Sequence, residues 1–341
     1  MMFWVLLSFM LSLLLTYGLS RPNAPLARVL LAQPNERSLH ERPTPHSGGL
    51  AVLAGLLVSA SLGLWWLDAA AYPPGLGWAL LLVAGVSLLD DWREVSPRYR
   101  LLVHGLAAGI LLTTGLYLPQ LELPGLVWAW PLWLAAPLLG IALVWLINLY
   151  NFMDGMDGFA GGMAVFGFGT LAVLGLQAAA PLFALWSLLI AAAALGFLVF
   201  NFPPAVIFMG DVGASTLGLL LGAFALWAAQ IQVVPLWATL LLFSPFILDA
   251  TLTLLRRLRN GEKVWQAHRK HYYQRLVRAG WGHKKTVLWE YALMAACGLS
   301  VLAVPHLSDY AQAWLLLAWI LIYVILIIGL ERFLQRRGQP F

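Results

Sequence analysis

Apolar residues in this chain come in long unbroken runs separated by short polar breaks. The runs fall near residues 2–20, 48–67, 76–90, 101–118, 127–148, 159–178, 181–200, 212–230, 232–254, 287–304 and 312–330. Each approaches the roughly 20 residues a helix needs to cross about 30 Å of hydrocarbon, so the pattern predicts about eleven transmembrane helices. No Asp, Glu, Lys or Arg occurs from Gly158 to Gly210 or from Val212 to Leu248. Each of these stretches must therefore hold two helices, and Pro181 and the segment from Gln230 to Pro235 are the natural breaks.

Composition agrees: 61% of the residues are hydrophobic and 10% charged, and the mean hydropathy is +0.82. Such a chain lies outside the range of soluble domains. The expected fold is an all-α polytopic membrane protein forming one domain over residues 1–341.

Charge placement fixes an expected orientation, because Lys and Arg accumulate in short cytoplasmic loops. With the N-terminus outside, residues 21–47, 91–100, 149–158, 201–211 and 255–286 and a C-terminal tail at 331–341 lie inside. All 20 Lys and Arg residues then fall inside: four from Arg21 to Arg42, three from Arg93 to Arg100, ten from Arg256 to Lys285 and three from Arg332 to Arg337. The first apolar run has no basic residue before it and Arg21 after it, the reverse of a cleaved signal peptide. The net charge of +5 lies along a membrane surface, so anionic lipids and phosphate-bearing substrates are expected partners, and nucleic acid is not. The single cysteine, Cys297, excludes a disulfide within the chain and a cysteine metal site.

Six carboxylates fall at the inner ends of separate predicted helices: Asp90, Asp91, Asp154, Asp157, Asp211 and Asp249. The outer-side acids Asp68, Glu122 and Asp309 are isolated. Taken singly, each inner acid is equally well explained as a helix cap or a solvated loop acid. As a set on one face they point to function, because ionisable groups at a membrane edge are costly unless paired or used.

The adjacent pair Asp90 and Asp91 needs a nearby cation to stay doubly ionised; otherwise one group holds its proton and can act as a base. Asn148, Asn151, Asp154 and Asp157 recur at intervals of three, with Gly155 and Gly158 among them, and form an oxygen-rich surface suited to a hard cation or a nucleotide. Asp211 stands between Gly210 and Gly213 at a helix start, where a carboxylate could bind Mg²⁺ beside a phosphate. Phe208, three residues earlier, could stack on a base or simply pack among helices. In the longest inner loop, His268, Arg269, Lys270, His271 and Arg275 interleave with tyrosines, as suits either a dianionic phosphate or a lipid-held surface. His283 reads as loop surface, and His104 and Glu290 as satisfied structural groups.

Taken in order, these segments resemble the polyprenyl-phosphate N-acetylhexosamine-1-phosphate transferases, whose relatives initiate O-antigen, enterobacterial common antigen, teichoic acid and peptidoglycan lipid intermediates. The resemblance runs from about Arg37 to Lys285 and rests on the stretch from His40 to Gly49, Asp90-Asp91, the run from Asn148 to Gly158, that from Pro204 to Gly213, Asp249, and the loop from His268 to Arg275. It implies transfer of an N-acetylhexosamine 1-phosphate of the GlcNAc, GalNAc, QuiNAc or FucNAc type from a UDP-sugar to undecaprenyl phosphate, with release of UMP, at the bacterial cytoplasmic membrane. It also implies Mg²⁺, which Mn²⁺ could replace.

By the same resemblance, Asp90 and Asp91 activate the lipid phosphate or assist the metal, and Asp211 ligates Mg²⁺ with Asn148 and, as a further candidate, Asp154. Phe208 stacks on uracil, and Asn148, Asn151, Asp154 and Asp157 line the nucleotide-sugar surface. Arg42 and Thr44 lie in the first inner loop near the nucleotide. His271, with Arg269 and Arg275, holds sugar or phosphate. A homodimer is compatible with this reading.

Tyr273 stands where a second histidine is common, Ala214 replaces a common serine, and the consecutive histidines of the peptidoglycan branch are missing. These departures favour a sugar without a peptide, as in O-antigen or related glycan initiation, over a phospho-MurNAc-pentapeptide transferase. A secondary transporter or lipid flippase is the rival from another class. It would place its ionisable groups near the bilayer midplane, where this chain has none.

Overall fold

The computed structural model describes residues 1–21, 23–24, 29–32, 43–67, 73–263, 266, 268–339 and 341. Helices dominate: α1 Met2–Leu19, α2 Gly48–Leu67, α3 Leu76–Trp92, α4 Pro97–Thr113, α5 Leu132–Phe152, α6 Phe159–Gln177, α7 Pro181–Asn201, α8 Gly210–Gln230, α9 Leu236–Leu242, α10 Ser244–Arg259, α11 Tyr272–Leu276, α12 Gly282–Ala303 and α13 Asp309–Arg336. Two short antiparallel hairpins accompany them, β1 Leu31–Ala32 with β2 Thr44–Pro45, and β3 Gln120–Leu123 with β4 Leu126–Ala129. The protein is an all-α polytopic membrane protein in its architecture.

The breaks lie where the sequence places them. Pro181 opens α7, and Pro235 precedes α9. Ser96 caps α4 by accepting from the Tyr99 N–H at 3.4 Å, with Pro97 at the first helical position, and Ser308 caps α13 in the same way. Both follow from the orphan N–H groups of a helix start and the fixed φ of proline.

Three expectations need correction. The span at 127–148 begins too early, because residues 126–129 pair with 120–123 around Gly125 (φ 72°) and the helix starts only at Leu132. The span at 101–118 becomes a helix from Pro97 to Thr113. The span at 232–254 is two helices, α9 and α10, bent by 82°. Pro245 lies in the first turn of α10; it has no N–H to continue the ladder of α9, and its ring opposes an unbroken helix. Among the described residues, seven helices are long and apolar enough to cross a bilayer, or eight with the bent pair taken as one span. The expected eleven positions therefore all carry helix, and seven or eight of them meet the length and apolarity of a full crossing among the described residues.

The most enclosed helix is α8, with 94% of its most apolar window buried. Small residues make that possible. A Cβ at Gly218 would lie 2.6 Å from the Leu146 carbonyl oxygen on α5, and one at Gly222 would lie 2.6 Å from a Leu143 methyl. Gly213 faces Gly49 at the start of α2 so closely that its Cβ would sit 2.7 Å from the Gly49 Cα. Close backbone approach of this kind is how helices associate where lipid removes the hydrophobic drive between them. At the other extreme, only 6% of the corresponding window of α13 is buried, and Trp314, Ile320, Leu321 and Ile325 on it are exposed. Such a helix is stable at the periphery only against an apolar solvent.

Gly213→Val should cost about 1–3 kcal/mol, the usual penalty of overpacking, read as a lower thermal midpoint in detergent. Gly109→Val, where a Cβ meets nothing within 4 Å, should change stability by less than about 0.5 kcal/mol.

Candidate active site

The site is assembled where α2 and α8 begin and α3 ends. Asp90 and Asp91 occupy the last turn of α3, the end of a helix dipole that disfavours negative charge. Each is answered from elsewhere. Asp90 accepts from the Val95 N–H at 2.8 Å and from the Arg100 guanidinium. Asp91 turns to the N-terminus of α8 and accepts from the N–H groups of Asp211 at 2.9 Å and Val212 at 3.1 Å. No side chain of the flanking segment caps α8, so Asp91 supplies its cap from another helix. His46 Nε2 lies 3.8 Å from the same carboxylate.

Gly210 makes this possible. Its φ is 75°, and a Cβ there would collide with the His46 carbonyl oxygen and crowd both Asp91 oxygens. The strand-like exchange beside it runs from Phe208 N–H to the Pro45 oxygen at 2.7 Å, from Gly48 N–H to the Phe208 oxygen at 2.9 Å and from Gly49 N–H to the Met209 oxygen at 2.7 Å. The first inner segment and the Pro204 to Gly213 run are thus locked together. Thr44 is buried in β2 and Phe208 half-buried at this seam. Arg42 lies outside the described residues.

Arg100, in the first turn of α4, bridges two acids: it binds Asp90 and also donates to Asp211 at 3.0 Å. Asp211 remains about a third exposed at its side chain (31%). It is therefore held in place and still open to a ligand.

The Asn148 to Gly158 run divides into two roles. Asn148 and Asn151 lie on the last turns of α5, and Asp154 and Asp157 in the turn that follows. Asn148 donates to the Val144 oxygen at 2.7 Å and lies 3.2 Å from His104 Nδ1. Asp157 is a tie: it accepts from the Ala205 N–H at 3.0 Å and pairs with His283 Nδ1 at 3.0 Å. Gly158 joins the same tie through Asn201 and Tyr291. The Asp154 side chain has no hydrogen bond or ion pair among the described residues. Its carboxyl is pushed well above the usual carboxylate range, first by enclosure and then by the negative charges of Asp211 and Asp91. Asn151 is half-buried beside it in sequence.

The basic loop is built differently from its sequence appearance. His271 opens α11 with its Nδ1 3.2 Å from Asp249, and its ring lies 6.4 Å from Phe152 and 4.8 Å from His268. Burial, with His271 and Arg257 nearby, holds the His268 imidazole down to about 3, so it is neutral near pH 7. Tyr273 donates to the Phe152 oxygen at 3.1 Å, and a Cβ at Gly155 would strike its hydroxyl. This packs α11 against the Asp154 turn. Arg275, buried, is taken up by a two-pronged pair with Glu331 on α13 at 2.9 Å per arm and by the Gln339 oxygen at 3.0 Å. Arg269 is half-buried in the loop before α11.

The structure therefore brings Asp90, Asp91, Asp154 and Asp211 into one electrostatic group, with His271 docked against the same turn, and gives Asp157 and Arg275 to structural ties. Sequence reasoning missed Arg100, His46, His283 and Glu331. A basic residue one turn after Ser96-Pro97 was the available sign for Arg100; His46 and Glu331 carry no local signal.

Among the described residues, no three His, Cys, Asp or Glu side chains close on one point as a metal cage. Mg²⁺ seldom needs one, since it is usually held by one or two carboxylates, substrate phosphates and water. A partly open Asp211 and a half-buried Asp154 that has no partner among the described residues fit that donor set, because their mutual repulsion falls when a cation enters.

The family described as Glycosyl transferase family 4 matches residues 74–229. A probable undecaprenyl-phosphate N-acetylglucosaminyl 1-phosphate transferase of Bacillus subtilis is 29% identical over 91% of this chain and 86% of its own. A decaprenyl-phosphate N-acetylglucosaminephosphotransferase of Mycolicibacterium smegmatis is 34% identical over 76% of this chain and 72% of its own. A phospho-N-acetylmuramoyl-pentapeptide-transferase of Synechococcus is 33% identical over 78% and 81%.

Single cysteines placed at the exposed positions Glu94, Phe152 and Pro204, in a Cys297→Ser background, should all react with an impermeant maleimide from the same side of the membrane. In intact cells they should stay unlabelled until the membrane is opened. Labelling of any one from the opposite side dismantles the site.

Proposed function

The chain belongs to the polyprenyl-phosphate N-acetylhexosamine-1-phosphate transferases, and from that premise we propose that it transfers an N-acetylhexosamine 1-phosphate from a UDP-sugar to undecaprenyl phosphate at the inner face of a bacterial cytoplasmic membrane. The supporting observation is the grouping of Asp91, Asp154 and Asp211 at one end of the bundle, with Arg100 bridging Asp211 to Asp90. Such a surface has too many acids for its own cations and suits a diphosphate that arrives with a divalent metal.

The reaction read from it is a phosphoryl exchange. An oxygen of the lipid phosphate attacks the β-phosphorus of the UDP-sugar, the new P–O bond forms, the bond to the α-phosphate oxygen breaks, and UMP leaves. The nucleophile is already anionic, so the protein's task is positioning and charge cancellation rather than base catalysis. Mg²⁺, held by Asp211 with Asp154 and Asn148 as further oxygen donors, would supply that cancellation between the phosphates. Asp91 keeps the α8 N-terminus in place, Arg100 keeps Asp211 turned toward the site and offers a guanidinium to phosphate, and His271 offers a ring nitrogen from the opposite loop. Phe208, at the seam of the first inner segment, is the candidate stacking partner of the uracil.

GlcNAc is the favoured sugar, since relatives named for N-acetylglucosamine transfer match up to 91% of this chain. The peptidoglycan-type relative keeps a second reading alive: a muramoyl-pentapeptide donor. Absence of a histidine run in the loop from His268 to Arg275 speaks against it.

Purified enzyme in nanodiscs with undecaprenyl phosphate and Mg²⁺ should release UMP from UDP-GlcNAc and not from the UDP-muramoyl-pentapeptide. Asp211→Asn should lower turnover by about 10²–10³-fold, the usual loss when one electrostatic contributor to a charged transition state is removed, with the thermal midpoint preserved. Full turnover in a folded Asp211→Asn preparation would overturn the metal assignment.

A further inference from the structure

Asp249 is drawn into no step above, yet it is a carboxylate buried to 8% exposure inside a membrane protein. Such a group is costly unless donors surround it. Four do: the Tyr272 N–H at 2.9 Å, the Tyr273 N–H at 3.0 Å, the Thr253 hydroxyl at 3.2 Å and His271 Nδ1 at 3.2 Å. Three of the four come from the loop that carries His271, and the fourth lies one turn along on α10. The 82° bend between α9 and α10 directs α10 along the path on which Asp249 meets that loop.

We propose that Asp249 is the positioning residue of the transfer reaction: it fixes the Nδ1 proton and the ring orientation of His271, so that Nε2 is the atom presented to phosphate. This rests on the transferase reading for the role of Nε2; the Asp249–His271 geometry does not.

The assignment of the proton follows from competing demands on the ring. The His271 side chain also faces the Gln274 backbone N–H in a capping box, and that N–H asks a ring nitrogen to accept. A carboxylate offers only acceptor oxygens and asks Nδ1 to donate. Bonds to an ionised partner are roughly twice as strong as neutral ones, so the carboxylate decides and Nδ1 carries the proton. Ligand histidines in metal sites are fixed by the same device, a carboxylate on the far nitrogen that sets tautomer and direction. Here the ring has little freedom left: Tyr273 stacks on it with centroids 5.8 Å apart and planes at 18°, and Phe152 and His268 border it. Tyr273 in turn holds the Phe152 oxygen. One carboxylate therefore sets both the histidine and the register of its loop against the Asp154 turn.

Two substitutions separate the ring nitrogens. Asparagine places an amide nitrogen near the position of Nδ1 and nothing at Nε2; glutamine reaches Nε2 and leaves Nδ1 empty. In nanodiscs, His271→Asn should retain the thermal midpoint, keep the substrate KM within about threefold and lose kcat by about 10²-fold, while His271→Gln should recover a substantial part of that loss. Asp249→Asn should lower kcat by about 10–100-fold. Added to His271→Asn it should cost little more, because both changes remove one function.

Nitrogen-15 spectra of histidine-labelled protein without substrate should show the Nδ1–H form for His271 and its loss in Asp249→Asn. Independent, multiplying kcat losses for the two substitutions, an inactive His271→Gln beside an active His271→Asn, or an Nε2–H tautomer in the unmutated protein would each overturn the proposal. If Asp249→Asn does not fold, the asparagine and glutamine pair and the tautomer of the unmutated protein still decide it. Absence of UMP release by the unmutated enzyme, with the Nδ1–H form present, would count against the transferase reading and leave the geometry of Asp249 standing.

Discussion

A carboxylate withdrawn from water at the edge of a bilayer must be answered by donors or cations, and this structure is organised around meeting that requirement. Asp91 is answered by the start of α8, Asp90 by Arg100 and the Val95 N–H, Asp157 by His283 and the Ala205 N–H, and Asp249 by the start of α11. The answers to Asp91, Asp157 and Asp249 join segments more than 20 residues apart in the chain, while that to Asp90 is local. Asp154 alone among these acids has no such partner in the described residues, and the proposed metal site rests on that feature.

Helix ends supply much of the compensation. Carboxylates at the C-terminal end of α3 stand against their own helix dipole and gain by turning to the N-terminus of another helix. The gain is available only because α2 and α8 touch backbone to backbone at Gly49 and Gly213 and because Gly210 adopts a positive φ. Larger residues would separate the helices and carry the N–H groups of Asp211 and Val212 away from Asp91. Packing in the apolar interior and electrostatics at the rim are in this sense one constraint.

The basic loop shows how charge can mislead before folding. Of its cations, Arg256 and Arg275 pair with Glu331, and Arg257 and Lys270 with Glu262. A buried guanidinium needs such a partner, so much of the loop's positive charge is spent on structure. For the proposed contact with phosphate this leaves a few groups, His271 among them.

Long uncharged runs determined the helices, because every backbone group in hydrocarbon must be satisfied within its own segment. Proline and charge-free length located the breaks after Gln177 and Gln230. Periodic amides and carboxylates marked the turn after α5, and the glycines around Asp211 marked a helix start. These signals are local, and the residues carry them wherever the chain goes. The hairpin at 120–129 and the bend at Phe243 were not read, because their local signs, Gly125 and Pro245, lie within apolar stretches that read equally as membrane helix. Nor were the roles of Arg100, His46, His283 and Glu331. Their residue types say only that they can be charged; which acid each one meets is a matter of distance, and distance between segments more than a few residues apart exists only once the helices have packed.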